Sequence, residues 1–366
     1  MATTDKRAYA AGSYGIELDG VQAGFLDDVD GGWISADVVN EKPGSDGVVH
    51  KHIGQVKYED ICVRSGATIS DVLLDAVKAA LDGTATRRNG TIVEYDYNYK
   101  ELSRLNFSNA LITEIGFPAL DASSKDAAYL TIRFTPETTA FLPGNGSLNG
   151  TPADQKSAKK WLCSNFRLTI DGLDCTRVNK VECLTVRQEV VDDSVGELRV
   201  TTLKPSTLDI PNLVVTLAQS AAQSFYDWHR SFVIEGKNSS DQEKSGAIEF
   251  LSPNLTEVLF KLEFSNLGIF RLTVDRTAGN DTIQRAKAEM YCEKVAFSRV
   301  SVSDASAGAT TTSAATTSVA PSITRPTLTP TKVAVQQAVP LRSGVSPLAT
   351  PAQPVPSNPP NLRFRS

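Results

Sequence analysis

The feature that most constrains the fold is an internal repeat, because four landmarks occur twice in the same order and at a nearly constant separation along the chain. Each series runs from an alternating strand ending in Asp-Gly, through an amphipathic helix closed by Gly and an apolar run opening on Gly, to Phe-Ser-Asn. The paired landmarks are Asp19-Gly20 and Asp171-Gly172, Gly83 and Gly236, Gly90 and Gly246, and Phe107-Ser108-Asn109 and Phe264-Ser265-Asn266. The pattern predicts one domain written twice.

A chain of 366 residues suits two domains with an appendage. We predict a flexible arm over residues 1–12, a first domain over 13–136, a Pro/Gly-rich linker over 137–161 and a second domain over 162–303. Residues 304–366 are rich in Pro, Ser, Thr and Ala and hold almost no aromatic residues. Such a segment buries too little apolar area to offset the entropy of ordering, so we expect it to be disordered.

Each copy is predicted to be mainly β with one helix. The first helix has Ser70 as its N-cap and ends at Gly83. The second runs over about residues 218–234, and its aromatic side chains at helical spacing are expected to pack on a sheet. Alternating or apolar runs predict strands elsewhere, including single strands over 48–63 and 288–297.

Composition excludes several classes of protein. A net charge of −5 without a basic stripe argues against a dedicated nucleic-acid binder, although nucleic acid could still pass through a lumen. The five cysteines are odd in number and lack C-x-x-C spacing, which favours reduced thiols. Since neither a signal peptide nor a run of about 18 apolar residues is found, we expect a soluble protein made in the cytoplasm, with no membrane partner.

No catalytic or cofactor-binding motif is found, so the sequence predicts a non-enzymatic protein without a cofactor or metal. His50 and His52 could place two imidazoles on one side of a strand, but no nearby Cys or acidic cluster completes a metal site. His229 is expected to be structural or at the surface. The stretch Asp27-Asp28-x-Asp30 lacks the spaced Gly and the terminal Glu of a calcium loop.

Two stretches carry a family resemblance. One is the opening strand, Ile16-Glu17-Leu18-Asp19-Gly20 and again Leu168-Thr169-Ile170-Asp171-Gly172. The other is the helix written Phe225-Tyr226-Asp227-Trp228, which ends at Gly236. Over residues 13–135 and 162–300 the chain resembles the tail tube proteins of contractile phage tails and of phage-tail-like injection systems.

The resemblance implies a small β-sandwich or barrel flanked by a helix, whose copies stand side by side in a ring around a lumen. Rings of this family stack into a tube, and closing a ring covers sheet edges that would otherwise be a liability. The implied partners are other copies of the chain, adjacent rings, and sheath, baseplate or spike proteins, with DNA or protein cargo in the lumen. The implied location is the bacterial cytoplasm during assembly and then the virion tail or injection particle.

The chain departs from this family because the ordinary tube protein has a single domain. A tandem copy allows a pseudo-hexameric trimer, with six domains from three chains, similar to the hub at the spike end of a tail. It also allows a hexameric ring of six chains in which the second copy decorates the ring or forms a second layer. The sequence leaves open whether the chain builds the main tube or an adaptor at its end.

A loop rich in Pro, Gly and charge is assigned to ring stacking by analogy with the family, the alternative being a mobile loop. Its residues are Glu41, Lys42, Pro43, Gly44, Ser45, Asp46 and Gly47. The alternative function for the whole chain is a tandem β-sandwich binding module for a surface or carbohydrate ligand. An enzyme or toxic cargo is disfavoured by the missing catalytic residues and by the repeat.

Overall fold

The computed structural model describes residues 13–42, 47–147, 161–193, 202–274 and 284–300. All of them lie in one compact unit, residues 1–309. The predicted arm, much of the predicted linker and the predicted C-terminal tail lie outside the described residues.

Residues 13–147 form strands around one helix, α1 (Asp71–Leu81). The strands are β1 (Ser13–Leu18), β2 (Val21–Leu26), β3 (Asp28–Gly31), β4 (Ile34–Asn40), β5 (Lys51–Tyr58), β6 (Ile61–Ser65), β7 (Arg88–Tyr95), β8 (Glu101–Phe117), β9 (Leu120–Asp121), β10 (Leu130–Thr135) and β11 (Thr138–Pro143). Strand β11 falls within the segment predicted as linker and pairs with β8.

The second half, from residue 161 onward, is built in the same way around α2 (Gln223–His229). Its strands are β12 (Phe166–Ile170), β13 (Val178–Val181), β14 (Leu184–Asp193), β15 (Thr202–Asp209), β16 (Leu213–Ala218), β17 (Lys244–Leu251), β18 (Val258–Val274), β19 (Arg285–Tyr291) and β20 (Lys294–Arg299). The predicted fold class, mainly β with one helix for each copy, is confirmed.

The order of neighbouring strands is the same in the two halves. In the first half it is β1-β7-β8-β10-β6-β3, with β2 outside β1 and β11 also on β8. In the second half it is β12-β17-β18-β19-β16-β13, with β20 also on β18. Each half is therefore organised around one long strand, β8 or β18, which changes partners partway along its length.

The repeated Phe-Ser-Asn marks this change of partner. Asn109 and Asn266 have φ angles of 51° and 57°, in the left-handed region that Asn tolerates better than most residues. The amide Nδ2 of Asn109 donates to Glu137 Oε2 at 2.8 Å. Asn266 Nδ2 donates to Glu293 Oε2, also at 2.8 Å. The same irregularity is thus fixed by the same side-chain contact in both halves.

The repeated Gly at the third position of β7 and β17 is required by a close approach of neighbouring strands. A Cβ on Gly90 would lie 2.6 Å from the carbonyl oxygen of Glu17 and 2.2 Å from the ring of Phe107. A Cβ on Gly246 would lie 2.7 Å from the carbonyl oxygen of Thr169. These distances are too short for any side chain, so both positions need Gly.

The first helix agrees with the sequence prediction and the second differs from it. Ser70 is the N-cap of α1, and its Oγ accepts from the Leu73 N–H at 3.2 Å. The predicted second helix is instead a 3-10 turn at Gln219–Ala221, the α-helix α2 and a π-turn at Arg230–Ile234. Ala222 stands at the N-cap of α2 and offers no side-chain cap, which weakens its first turn relative to that of α1.

Two predicted single strands are in fact strand pairs. The run over 48–63 contains the end of the β4–β5 hairpin and the start of β6, and the run over 288–297 spans β19 and β20. In both cases the apolar periodicity continues through a short connection, so hydrophobic pattern alone does not show the break.

Candidate assembly interface

The two halves of the chain meet along a continuous sheet. Strand β14 of the second half pairs antiparallel with the end of β8 in the first half. The register places Leu184 opposite Phe117 and Arg187 opposite Glu114. Strand β13 also pairs with β9. Backbone hydrogen bonds therefore join the two repeats edge to edge, and we call this contact the internal junction.

Aromatic packing and an ion pair from β20 cross the internal junction. The rings of Phe117 and Phe297 meet edge to face with centroids 5.1 Å apart, a favourable geometry for buried aromatic side chains. Arg299 Nη1 lies 2.7 Å from Asp71 Oδ1 at the start of α1, and its Nη2 donates to the carbonyl of Ile69. The strand β20 thus packs on the helix of the other half.

A third set of contacts holds the outer strand of the β14–β15 hairpin. The Leu203 N–H donates to Glu137 Oε1 at 3.1 Å, and the Arg87 guanidinium donates to the Leu203 carbonyl. Arg87 also lies 3.7 Å from Glu137. Glu137 therefore contacts Asn109 within its own half and the hairpin of the other half. One carboxylate thus holds both the irregularity of β8 at Asn109 and the internal junction.

Charge at the junction adds less than backbone pairing and apolar burial. Glu114 Oε2 lies 3.4 Å from Arg187 Nε and 3.6 Å from Arg133 Nε. Arg187 is largely exposed, and exposed ion pairs contribute little to stability. Val186 and Leu184 are buried at this junction, with 1% and 3% of their surface exposed.

In the part of the chain that the structure describes, the corresponding elements, which are the β4–β5 hairpin and the end of β18, form no such junction. Strands β4 and β5 form a separate two-stranded sheet. Their large apolar residues are exposed, including Val38 at 63% and Ile53 at 80%. Among the described residues, β18 beyond Gly268 pairs with β19 on one side and with no strand on the other.

The loop predicted to stack rings lies at the tip of the β4–β5 hairpin. The Glu41 N–H donates to the His50 carbonyl at 2.8 Å, and His52 Nε2 lies 3.0 Å from Glu41 Oε1. Lys42 is exposed and Gly47 has a φ angle of 70°. Residues 43–46, which are Pro43, Gly44, Ser45 and Asp46, lie outside the described residues.

The residues considered for chemistry are dispersed. His52 pairs with Glu41 on the exposed hairpin, and His229 closes α2. Across the described ranges, no group of three or more His, Cys, Asp or Glu side chains is arranged to hold a metal ion. Asp28 and Asp30 lie in strand β3 instead of a calcium-type loop.

The cysteines are all free thiols. Burial raises the pKa of Cys175 and that of Cys292 to about 11, so neither is a reactive thiolate at neutral pH. In the described part of the chain, the helices are too short and too polar to cross a membrane.

Comparison with known proteins finds a family match for the first half of the chain. Residues 11–139 match the family model of T4-like virus tail tube protein gp19. No curated protein matches the chain. The match ends just inside β11, so it covers the strands and helix that make up one copy of the repeat.

Similar solved structures come from contractile injection systems. A chain of the PVC sheath-tube complex in its extended state is 21% identical, covers 39% of this chain and 99% of its own, and has a TM-score of 0.34. The anti-feeding prophage tube-terminating cap is 18% identical, covers 39% of this chain and 97% of its own, and has a TM-score of 0.35. The PVC sheath/tube terminator is 20% identical, covers 38% of this chain and 99% of its own, and has a TM-score of 0.33. All three TM-scores are below 0.5, so the assignment rests on the family match.

The β-sheet fold and the family match together describe a tail-tube-like domain in the first half of the chain. Over residues 11–139 the chain matches the T4-like virus tail tube protein family, so the resemblance recognised in the sequence is confirmed for the first copy, and for residues 162–300 it stays a prediction. Sequence reasoning did not single out the end of β18, which has a strand on one side only among the described residues, or the exposed strands of the β4–β5 hairpin.

Proposed function

We propose that the chain is a structural component of the inner tube, or of an adaptor at the tube end, in a phage tail or contractile injection particle. It forms a ring around a central lumen. The family match over residues 11–139 supports this function. The alternative of a tandem binding module for a surface or carbohydrate has no comparable support.

The observation that carries the proposal is the internal junction. A sheet protein that builds rings has to join one domain to the next by its strand edges, since an open edge pairs with whatever strand it meets. Here one tube-like half joins another in that way within a single chain, through β14 on β8. The chain thus holds two consecutive positions of the proposed ring.

The proposed ring has six tube-like domains contributed by three chains. Each chain then spans a third of the circumference, and the assembly has a mass of about 118 kDa, three times 39.3 kDa. The proposed partners are adjacent rings together with sheath, baseplate or spike proteins, and the proposed cargo of the lumen is DNA or protein. Assembly is proposed to occur in the bacterial cytoplasm.

The tip of the β4–β5 hairpin is proposed to contact the adjacent ring in the stack. Its exposed polar residues, including Glu41 and Lys42, suit a contact between rings. Replacing residues 41–47 with a short Gly-Ser turn should leave single rings intact and abolish stacking. Tubes of normal length from this variant would exclude the assignment.

The test of the ring is the mass of the purified protein by light scattering, with negative-stain imaging of the same sample. A mass near 118 kDa and six-lobed particles with a central hole are the expected result. Stacked rings would indicate the main tube, and isolated rings an adaptor. A monomer without a hole, at concentrations where tube proteins assemble, would overturn the proposal.

A further inference from the structure

We propose that the β4–β5 hairpin of one chain adds to the β18 edge of a second copy, which is unpaired among the described residues, and so reproduces the internal junction between chains. The β18 edge is defined as Arg271–Val274. The inference deepens the proposed function and rests on it, because it names the surfaces through which the ring closes. The occupant of the edge is therefore a second copy of this chain.

The positions on the two long strands correspond through the repeated triplet. When Phe107-Ser108-Asn109 is aligned with Phe264-Ser265-Asn266, the segment Glu114–Phe117 corresponds to Arg271–Val274. The first of these segments has β10 on one side and β14 on the other. The second has β19 on one side, and among the described residues no strand pairs with its other side, the β18 edge.

The positions on the two hairpins correspond through the repeated Asp-Gly. Aligning Asp19-Gly20 with Asp171-Gly172 places Ile34 with Val186 and Ser35 with Arg187. The strand registers agree independently, since Ser35 lies opposite Lys57 just as Arg187 lies opposite Asp209. The hairpin β4–β5 is therefore the counterpart of β14–β15, and Ser35 is expected to face Arg271 of the next copy.

Apolar exposure points to the same contact. Val186 is 1% exposed at the internal junction, whereas its counterpart Ile34 is 49% exposed. Phe297 is 2% exposed beneath Phe117, whereas its counterpart Phe141 is 46% exposed and stacks on Trp33 with ring centroids 5.1 Å apart. Residues that the first junction buries are thus left open at the second, as expected if another copy covers them.

Charge complementarity supports a second copy as the occupant. Leu203, held at the internal junction by Arg87 and Glu137, has Lys51 as its counterpart on the β4–β5 hairpin.

The counterparts of Arg87 and Glu137 are both carboxylates, Glu243 and Glu293. Glu243 Oε1 accepts from the Tyr291 hydroxyl at 2.7 Å, while its buried Oε2 has no hydrogen-bond partner within the described residues. The second half therefore has a carboxylate where the first half has Arg87, and the β4–β5 hairpin has a lysine where the β14–β15 hairpin has Leu203. The Lys51 ammonium of a second copy would donate to Glu243 Oε2.

The contact is head to tail and leaves each chain with one hairpin and one edge to offer. Such heterologous contacts give a closed ring when the rotation between neighbours closes, and an open filament when it does not. In the ring of the proposed function, first and second halves alternate around the circumference. Every junction then has a hairpin on the end of a long strand.

Disulfide capture between Ser35→Cys and Arg271→Cys tests the contact. Both positions are exposed, and directly opposed residues of an antiparallel pair lie within the Cα separation that a disulfide tolerates. The full-length chain would also carry Cys183→Ser, because Cys183 is an exposed thiol next to β14. Each single-cysteine variant and the pair Ser35→Cys with Lys261→Cys are controls, since both sides of Lys261 are occupied by β17 and β20.

The expected result is a ladder of covalent dimers and trimers that ends at three chains on non-reducing gels, only for the Ser35/Arg271 pair. A ladder that continues to six chains would overturn the three-chain ring while retaining the contact. Rings seen by negative stain without cross-linking would overturn the contact and leave the proposed function standing. Monomers by light scattering without cross-linking would overturn both.

Discussion

The two hairpins of the molecule occupy the same place in the repeat and meet different environments. The β14–β15 hairpin continues the sheet of the first half through β8, and Leu184, Val186 and Leu203 are buried there. The β4–β5 hairpin is a separate two-stranded sheet with exposed apolar residues. A two-stranded ribbon is marginal by itself in water, so the difference indicates a surface that awaits a partner.

The internal junction and the proposed outer junction between chains also differ in the side-chain contacts that can stabilise them. The internal junction has Phe117 beneath Phe297, and Arg299 on Asp71. At the proposed outer junction, the counterpart of Phe117 is the smaller Val274 and that of Arg299 is Pro143. The outer junction should therefore be the weaker of the two, which suits a contact that forms during assembly.

The largest contrast is expected from introducing a charge at matched hairpin positions. Val186→Asp buries a carboxylate without a partner and should lower the free energy of unfolding by more than about 3 kcal/mol. Ile34 is already exposed, so Ile34→Asp should change the stability of the monomer by less than about 0.5 kcal/mol while it prevents ring formation. Urea unfolding measures the first effect and light scattering the second. Equal stability losses in the two variants would contradict the comparison.

A second contrast comes from truncating the matched aromatic residues. Phe297→Ala removes a fully buried ring and should cost about 3–5 kcal/mol in the free energy of unfolding. Phe141→Ala, at the exposed counterpart, should cost about 1 kcal/mol or less in the isolated chain, because the ring is 46% exposed and stacks on Trp33 at the surface. Thermal unfolding at low protein concentration separates the two. A loss of stability for Phe141→Ala as large as that for Phe297→Ala would show that the ring of Phe141 is as well buried in the isolated chain as that of Phe297.

Charge reversal sharpens the comparison at the outer junction alone. Lys51→Glu should weaken association between chains on the order of 30-fold, since it places a third carboxylate near Glu243 and Glu293. The double variant Lys51→Glu with Glu243→Lys should regain most of that affinity. Analytical ultracentrifugation gives the dissociation constants, and additive effects in the double variant would exclude a direct contact.

The smallest predicted effect concerns the Asp-Gly turn of the first half. A hydrogen bond from Arg88 holds the pKa of Asp19 below its usual range. The stabilisation is therefore present above the unfolded-state pKa and is lost as the pH falls through the folded-state pKa. Asp19→Asn should cost less than about 1 kcal/mol at pH 7, because the pair is solvent-screened, and almost nothing at pH 2–3. Asp171→Asn is the matched control, and a pH-independent cost for Asp19→Asn would contradict this account.

Much of one copy of the fold could be predicted from the sequence because its signals are local. Ser70 and Gly83 bound α1, and Gly90 marks a close strand approach, as each residue type requires. The extent of α2 and the break between β19 and β20 could not be predicted, since neither has a strong cap or turn residue. The internal junction joins β8 to β14, strands far apart along the chain, so no local pattern reveals it.

The candidate site was only partly within reach of sequence reasoning. The loop over residues 41–47 was predicted from its turn composition, which is a local property, and its role in ring stacking stays a prediction. Lys51, Glu243 and Arg271 look like ordinary surface charges until the structure shows which edges are paired. Their proposed role depends on the position of each residue relative to the repeat, and this becomes visible only when the two halves are superimposed strand by strand.

The most direct test of the central claim is a cryo-EM reconstruction of the assembled ring at a resolution that separates strands. The account predicts three chains, with first and second halves alternating around one lumen and β4 hydrogen-bonded to Arg271–Val274 of the neighbouring chain. A ring of six chains whose first halves alone surround the lumen, with second halves stacked above or outside, would contradict it.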